Sequence, residues 1–121
     1  MDNLLKNKEF AVRTAELLWE HKAEDVILLD ISRVSSFSDF LVVATVRSAG
    51  HQRGLMNILH GFLKENSVEP FQGRKRAETQ GWILIDCGFL VINLMDKESR
   101  DFYELEKVWF EGEKIPLSVK E

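Results

Sequence analysis

The sequence predicts an α/β fold: a single-domain, mixed sheet of about four strands with helices packed on it. Three observations predict it. Apolar residues at helical spacing recur in three segments; short, almost continuously apolar runs fall between them; and two such runs flank Cys87-Gly88 in the pattern of a hairpin. The chain has 121 residues, 45% of them hydrophobic and 30% charged, which suits one domain and leaves no room for two. Residues 1–121 therefore read as one unit, with a core over about 3–110 and a C-terminal tail over 111–121.

Ala11, Val12, Ala15, Leu18 and Trp19 form the stripe of a first amphipathic helix over about 3–22, with Asp2 and Asn3 as capping candidates. Val26 to Ile31 is an apolar run of the kind found in strands covered on both faces. The serine-rich stretch Ser32 to Ser38 is a turn, and Asp39 to Thr45 is the next strand, able to pair antiparallel with the first. Ser48 is placed to cap a second helix with the stripe Leu55, Ile58, Leu59, Phe62, Leu63, ending near Asn66. Residues 67–80 have no period and contain Pro70 and Gly73, so they read as a long connection. Trp82 to Asp86 and Phe89 to Met95 then make a hairpin in which Gly88 supplies the positive φ of a two-residue turn. A third helix, about 97–110, stacks Phe102, Leu105 and Trp109 on one face, with Tyr103, Glu106 and Phe110 beside it, and stops at Gly112 and Pro116.

Composition excludes several function classes. A single cysteine, Cys87, permits neither an internal disulfide nor a cysteine-based zinc site, and fits a reducing compartment. The first residues show neither a signal-peptide nor a transit-peptide pattern, and no apolar run approaches the ~20 residues of a membrane span. A cytoplasmic location is the expectation. The net charge of −4 argues against a general nucleic-acid binder. Residues 96–113 hold seven acids and three bases and so carry the whole excess, an arrangement that attracts a basic partner or simply solvates a helix.

Catalytic patterns are missing. His51 and His60 lie nine residues apart, about 180° around one predicted helix, and cannot share a metal with each other. Gly50-His-Gln-Arg-Gly54 lacks the Lys-Ser/Thr of a phosphate loop. Asp30, Asp39 and Asp86 each lack a second acid two residues away, so no strand offers the same-face pair that two magnesium ions require. Ser35, Ser36 and Ser38 sit in a turn without a nucleophile motif, and nothing near Cys87 in sequence lowers its pKa. No cofactor and no metal are predicted. What remains is surface for binding. Trp82 shares a strand face with Leu84 and Asp86; Tyr103 and Glu106 are interleaved with acids. Trp and Tyr are favoured interface anchors, and flanking acids select a basic partner. Trp109, on the apolar stripe, reads rather as core, while Tyr103 is open to either role. Arg74-Lys75-Arg76, the one basic run, reads as a solvated loop or as a peripheral rRNA contact.

Three segments carry a family resemblance: Asp30-Ile-Ser32 followed by Asp39-Phe-Leu-Val-Val43, then Gly81-Trp-Ile-Leu-Ile-Asp86-Cys-Gly88, then Arg100-Asp-Phe-Tyr-Glu-Leu-Glu106-Lys-Val-Trp109. Over about Asp25 to Phe110 the chain resembles the ribosomal silencing factors, the RsfS or Iojap family. The resemblance implies a nucleotidyltransferase-like fold without catalytic acids and a protein that is not an enzyme. It implies binding to the large ribosomal subunit through its fourteenth protein, a basic protein at the intersubunit face, so that the small subunit cannot join. It also implies a homodimer when free. By position, the partner-facing residues are Trp82, Asp86, Tyr103, Leu105 and Glu106, with Arg100 and Asp101 beside them. This chain departs from the family pattern at Asn93, where a histidine is usual, and at Thr45-Val-Arg-Ser48, where a Ser-Gly-Thr-Ser-like turn is usual. A divergent nucleotidyltransferase, using Asp30 and Asp86 brought together, and an RNA-contacting assembly factor, using Arg74 to Arg76, are the rival readings.

Overall fold

The computed structural model describes residues 2–71 and 81–117. Along the chain come α1 (Asp2–Glu20), β1 (Glu24–Asp30), β2 (Phe40–Thr45), α2 (Ala49–Glu65), β3 (Trp82–Asp86), β4 (Leu90–Met95), α3 (Lys97–Tyr103), α4 (Leu105–Val108) and β5 (Glu113–Lys114). The sheet has the order β3-β4-β2-β1-β5; β2 and β4 run parallel and every other neighbouring pair is antiparallel. The two almost continuously apolar strands, β2 and β4, lie side by side in the interior of the sheet with every residue buried. β1, expected to be covered on both faces, is flanked on its outer side only by the two-residue β5, and only its later residues are buried.

Alternation along the strands sorts the interior into two layers. Leu28, Phe40, Val42, Ala44, Ile85, Leu90, Ile92 and Leu94 point to one side, where α1 and α2 cover them. Ala11 and Ala15, both fully buried, let the α1 backbone approach the sheet; Leu55, Leu59 and Leu63 of α2 fill the space beside it. Ser48 caps α2, its side chain accepting from the His51 amide at 3.0 Å. Leu29, Ile31, Leu41, Val43, Val91 and Met95 point to the other side, beneath Tyr103, Leu105 and Trp109. One side of the sheet is thickly covered and the other thinly.

Three local expectations need correction. The hairpin turns one residue later than predicted: the Cys87 amide donates to the Leu90 carbonyl at 2.8 Å, enclosing Gly88 and Phe89, with Gly88 at φ 89°. Phe89 is thereby released from β4, and its carbonyl accepts from the amides of Asp39 and Phe40. The helix expected over 97–110 is two helices, because Glu104 adopts the left-handed conformation (φ 49°, ψ 55°) and turns the chain. The segment expected to be only a tail contributes β5: Glu113 pairs with Asp30 and Lys114 with Leu29, making a fifth strand too short to show a period. Among the described residues no helix is long and apolar enough to cross a membrane.

Candidate functional site

The thin side of the sheet carries the aromatic residues that the sequence singled out. Trp82 opens β3, and Tyr103 closes α3; their ring centroids are 4.6 Å apart. Phe102 lies edge-on to Tyr103 at 4.9 Å and is 76% exposed. Toward β1, Trp109 meets Phe37 edge-on at 5.5 Å, and Phe37 is itself 60% exposed. Half-buried Trp82, Tyr103, Leu105 and Trp109 thus pack inward, while Phe37, Phe102, Val108 and Phe110 face outward. These exposed rings form a group rather than singly scattered apolar residues, which makes the thin side the candidate contact surface.

The break at Glu104 builds this arrangement. In an unbroken helix, residues six apart lie about 120° around the axis and cannot form a tight pair. Here Arg100 reaches Glu106 with both Nε (2.9 Å) and Nη2 (2.6 Å) on one carboxylate oxygen, while its Nη1 donates to Thr45 Oγ1 at 2.8 Å. Arg100 therefore ties α3 to α4 and to β2. Its side chain is 8% exposed, so the structure places this expected partner-facing residue inside. Burial raises the Glu106 carboxyl pKa, but the Arg100 hydrogen bond and the charges of Arg100 and Lys114 outweigh that and hold it below the usual carboxylate value.

The remaining expected site residues divide. Leu105 and Glu106 lie with Tyr103 on the α3–α4 ridge, and Asp101 stands on its outer face, 67% exposed, paired with Lys97 at 3.4 Å. Asp86 is not brought to them. It closes β3 four residues beyond Trp82, roughly 13 Å along the strand. There its Oδ1 accepts from the Gly88 amide at 2.9 Å and supports the hairpin turn. Sequence reasoning missed Phe37, which sits in the serine-rich turn with no periodic signal, and Asn93, whose Oδ1 accepts from the Trp82 indole N–H at 3.0 Å. Arg74, Lys75 and Arg76 lie outside the described residues, so the basic run has no structural account.

The geometry offers little to an enzyme. Asp30 and Asp86 end strands separated by β2 and β4, three strand spacings or about 14 Å, and by alternation they point to opposite faces. They cannot share a magnesium ion. Asp30 is turned to its own loop, accepting from the Ser32 amide (3.0 Å) and hydroxyl (2.7 Å). Burial, with the charge of Asp86 adding to it, pushes the Cys87 thiol up to about 12, far from a nucleophile's range. His51 holds backbone on both sides: its Nδ1 accepts from the Arg47 amide at 2.9 Å, and its Nε2 lies 2.8 Å from the His21 carbonyl. Among the described residues no three metal-ligating side chains cluster, and no buried side-chain polar atom lacks a partner. The arrangement suits docking of another macromolecule on an acidic, ring-bearing ridge.

The chain has recognisable relatives in both sequence and fold. The family described as "ribosomal silencing factor during starvation" matches residues 5–121. The chain is 32% identical over 112 residues to a ribosomal silencing factor RsfS of Chromobacterium violaceum, covering 93% of this chain and 90% of the relative. It is 29% identical over 95 residues to mouse "mitochondrial assembly of ribosomal large subunit protein 1", covering 77% of this chain and 42% of that one. Among solved structures, a Chromobacterium violaceum protein superposes with a TM-score of 0.73 at 30% identity, covering 96% of this chain and 92% of that one. A Bacillus halodurans protein does so at 0.71 and 27%, covering 97% and 100%.

Proposed function

The chain belongs to the RsfS family of ribosomal silencing factors, and on that premise we propose that it binds the large ribosomal subunit through its fourteenth protein and blocks small-subunit joining. The observation that carries this reading is the thin side itself: Trp82 against Tyr103 at 4.6 Å, with Phe102 exposed beside them on an acidic ridge. Ring anchors bury much area at low entropic cost, and a rim of acids favours a basic partner and repels an acidic one. Repression needs no chemistry in this scheme. A protein of this size seated on the intersubunit face excludes the small subunit by occupying its place, in the compartment where ribosomes assemble.

The test is a gradient assay of subunit joining, with purified large subunits given the protein before small subunits are added. Wild-type protein shifts particles from joined to separate. Trp82→Ala and Tyr103→Ala should each lose about 2 kcal/mol or more of binding, about thirtyfold in affinity, while remaining folded. Equal binding by a folded double variant would remove the site from this ridge. The mouse relative's name, which speaks of assembly of the large subunit, favours a second reading in which the same contact serves subunit maturation. Accumulation of immature large subunits on depletion, with joining of mature ones unaffected, would select it.

A further inference from the structure

Beneath the aromatic ridge lies one polar side chain that the packing of the sheet does not require. Asn93 is in the interior strand β4, 1% exposed, on the face that also presents Leu41, Val43, Val91 and Met95, with Thr45 at its margin bonded to Arg100. A leucine there would serve the core better, since a buried amide is tolerated only where both its ends are bonded. Both are. Its Oδ1 accepts from the Trp82 indole N–H at 3.0 Å, and its Nδ2 donates to the Val42 carbonyl at 3.2 Å. The two contacts dictate the same orientation of the amide, because an indole only donates and a carbonyl only accepts.

We propose that Asn93 is a positioning residue for the docking ridge, holding the Trp82 ring in its binding pose before any partner arrives. The proposal rests on the reading of Trp82 and Tyr103 as partner anchors. The register explains how it works. Leu84 stands opposite Asn93 and Trp82 opposite Met95, so Trp82 and Asn93 are diagonal neighbours on one face, within reach of a long side chain. With its N–H bonded to Asn93, the indole ring packs against Tyr103, tilted by 47°. Without that bond, a half-buried tryptophan at the start of an edge strand recovers rotamers that binding must freeze again. The indole N–H is already committed to Asn93, so recognition by Trp82 rests on its carbon surface.

The experiment measures binding to purified large subunits together with the nuclear magnetic resonance signal of the Trp82 indole N–H, assigned by its loss in Trp82→Phe. Asn93→Leu removes both hydrogen bonds. It should weaken binding about fivefold with no loss of thermal stability, and the indole proton should exchange at a solvent-like rate. Asn93→His, which keeps one acceptor and one donor on its ring, should restore both readings. In the Trp82→Phe background Asn93→Leu should cause no further loss of binding. An unchanged affinity with a freely exchanging indole overturns the proposal, and so does an equal loss in the Trp82→Phe background, which would make Asn93 a packing residue only. Should Asn93→Leu not fold, Trp82→Phe breaks the same bond from the other side. It must then weaken binding by a similar factor, and less than Trp82→Ala does, or the proposal fails. If Trp82→Ala leaves binding unchanged, the docking reading falls, and indole exchange in Asn93→Leu still decides whether Asn93 fixes the ring.

Discussion

The two sides of one sheet have been given different work. On the thick side, helices of 19 and 17 residues cover the strands, and Leu18, Leu28, Leu55, Leu59, Leu63, Ile92 and Leu94 are fully buried. On the thin side, helices of 7 and 4 residues leave Trp82, Tyr103, Leu105 and Trp109 only half-buried, and exposed rings stand around them. Fully burying a leucine contributes ~1.5–3 kcal/mol, so the thick side supplies most of the apolar stabilisation. A side that is already secure frees the other to keep apolar surface uncovered. That uncovered surface is the one proposed above to meet the partner.

Truncation compares the two sides most sharply. Leu59→Ala, at 0% exposure under α2, should lower unfolding free energy by about 2–5 kcal/mol, read from urea titration. Leu105→Ala, half-buried on the ridge, should cost about 1 kcal/mol of stability and more of subunit binding. Similar stability losses from both would break the asymmetry. Between these effects lies the junction that starts the ridge. Gly81 is at φ 88°, and a Cβ placed on it would collide with the carboxylate of Asp96, which caps α3 through the Ser99 amide at 2.8 Å. Gly81→Ala should therefore cost about 2 kcal/mol, part from backbone strain and part from displacing the cap. In a double-mutant cycle with Asp96→Ala the two losses should be less than additive; strict additivity would separate the glycine from the cap.

Much of this contrast was legible in the residues, and the illegible part has a common cause. The α1 and α2 stripes, the Ser48 cap, the antiparallel β1–β2 pair and the alternation that puts Trp82, Leu84 and Asp86 on one face follow from local periods. The absence of a same-face acid pair was equally local; the strand order then set Asp30 and Asp86 three strand spacings apart, and alternation turned them to opposite faces. The break at Glu104 was not local. A glutamate carries no signal for the left-handed conformation, which costs roughly 1–2 kcal/mol, and packing of Leu105 and Trp109 on the thin-side cluster, with the Arg100–Glu106 pair across the break, offsets it. The roles of Arg100 and Asn93 were illegible for the same reason: their partners, Thr45 and Trp82, are 55 and 11 residues away in sequence. For Arg100 the surface expectation failed because the kink that draws it inward had no sequence mark.

The smallest effect concerns how charge is tested on the ridge. Reversing Glu106 to Lys would set a second cation against Arg100, whose side chain is 8% exposed, and breaking a buried pair from one end leaves an uncompensated charge. Weaker binding by that variant would report a damaged ridge as readily as a lost partner contact. Asp101→Lys is the cleaner reversal, because Asp101 is 67% exposed and its pair with Lys97 is a surface one. It should flatten the salt dependence of subunit binding with stability nearly unchanged; an unaltered salt slope would count against a basic partner. Glu106 is better read through pH. Its folded pKa lies below the ordinary value of 4.5, so the unfolded chain takes up the proton first. Its contribution to stability is then complete above about that value and fades as pH falls through the lower, folded one. Glu106→Gln should lose that part of the acid dependence while keeping a neutral acceptor beside Arg100. An acid unfolding profile identical to wild type would mean that the bolt between α3 and α4 does not depend on the carboxylate's charge.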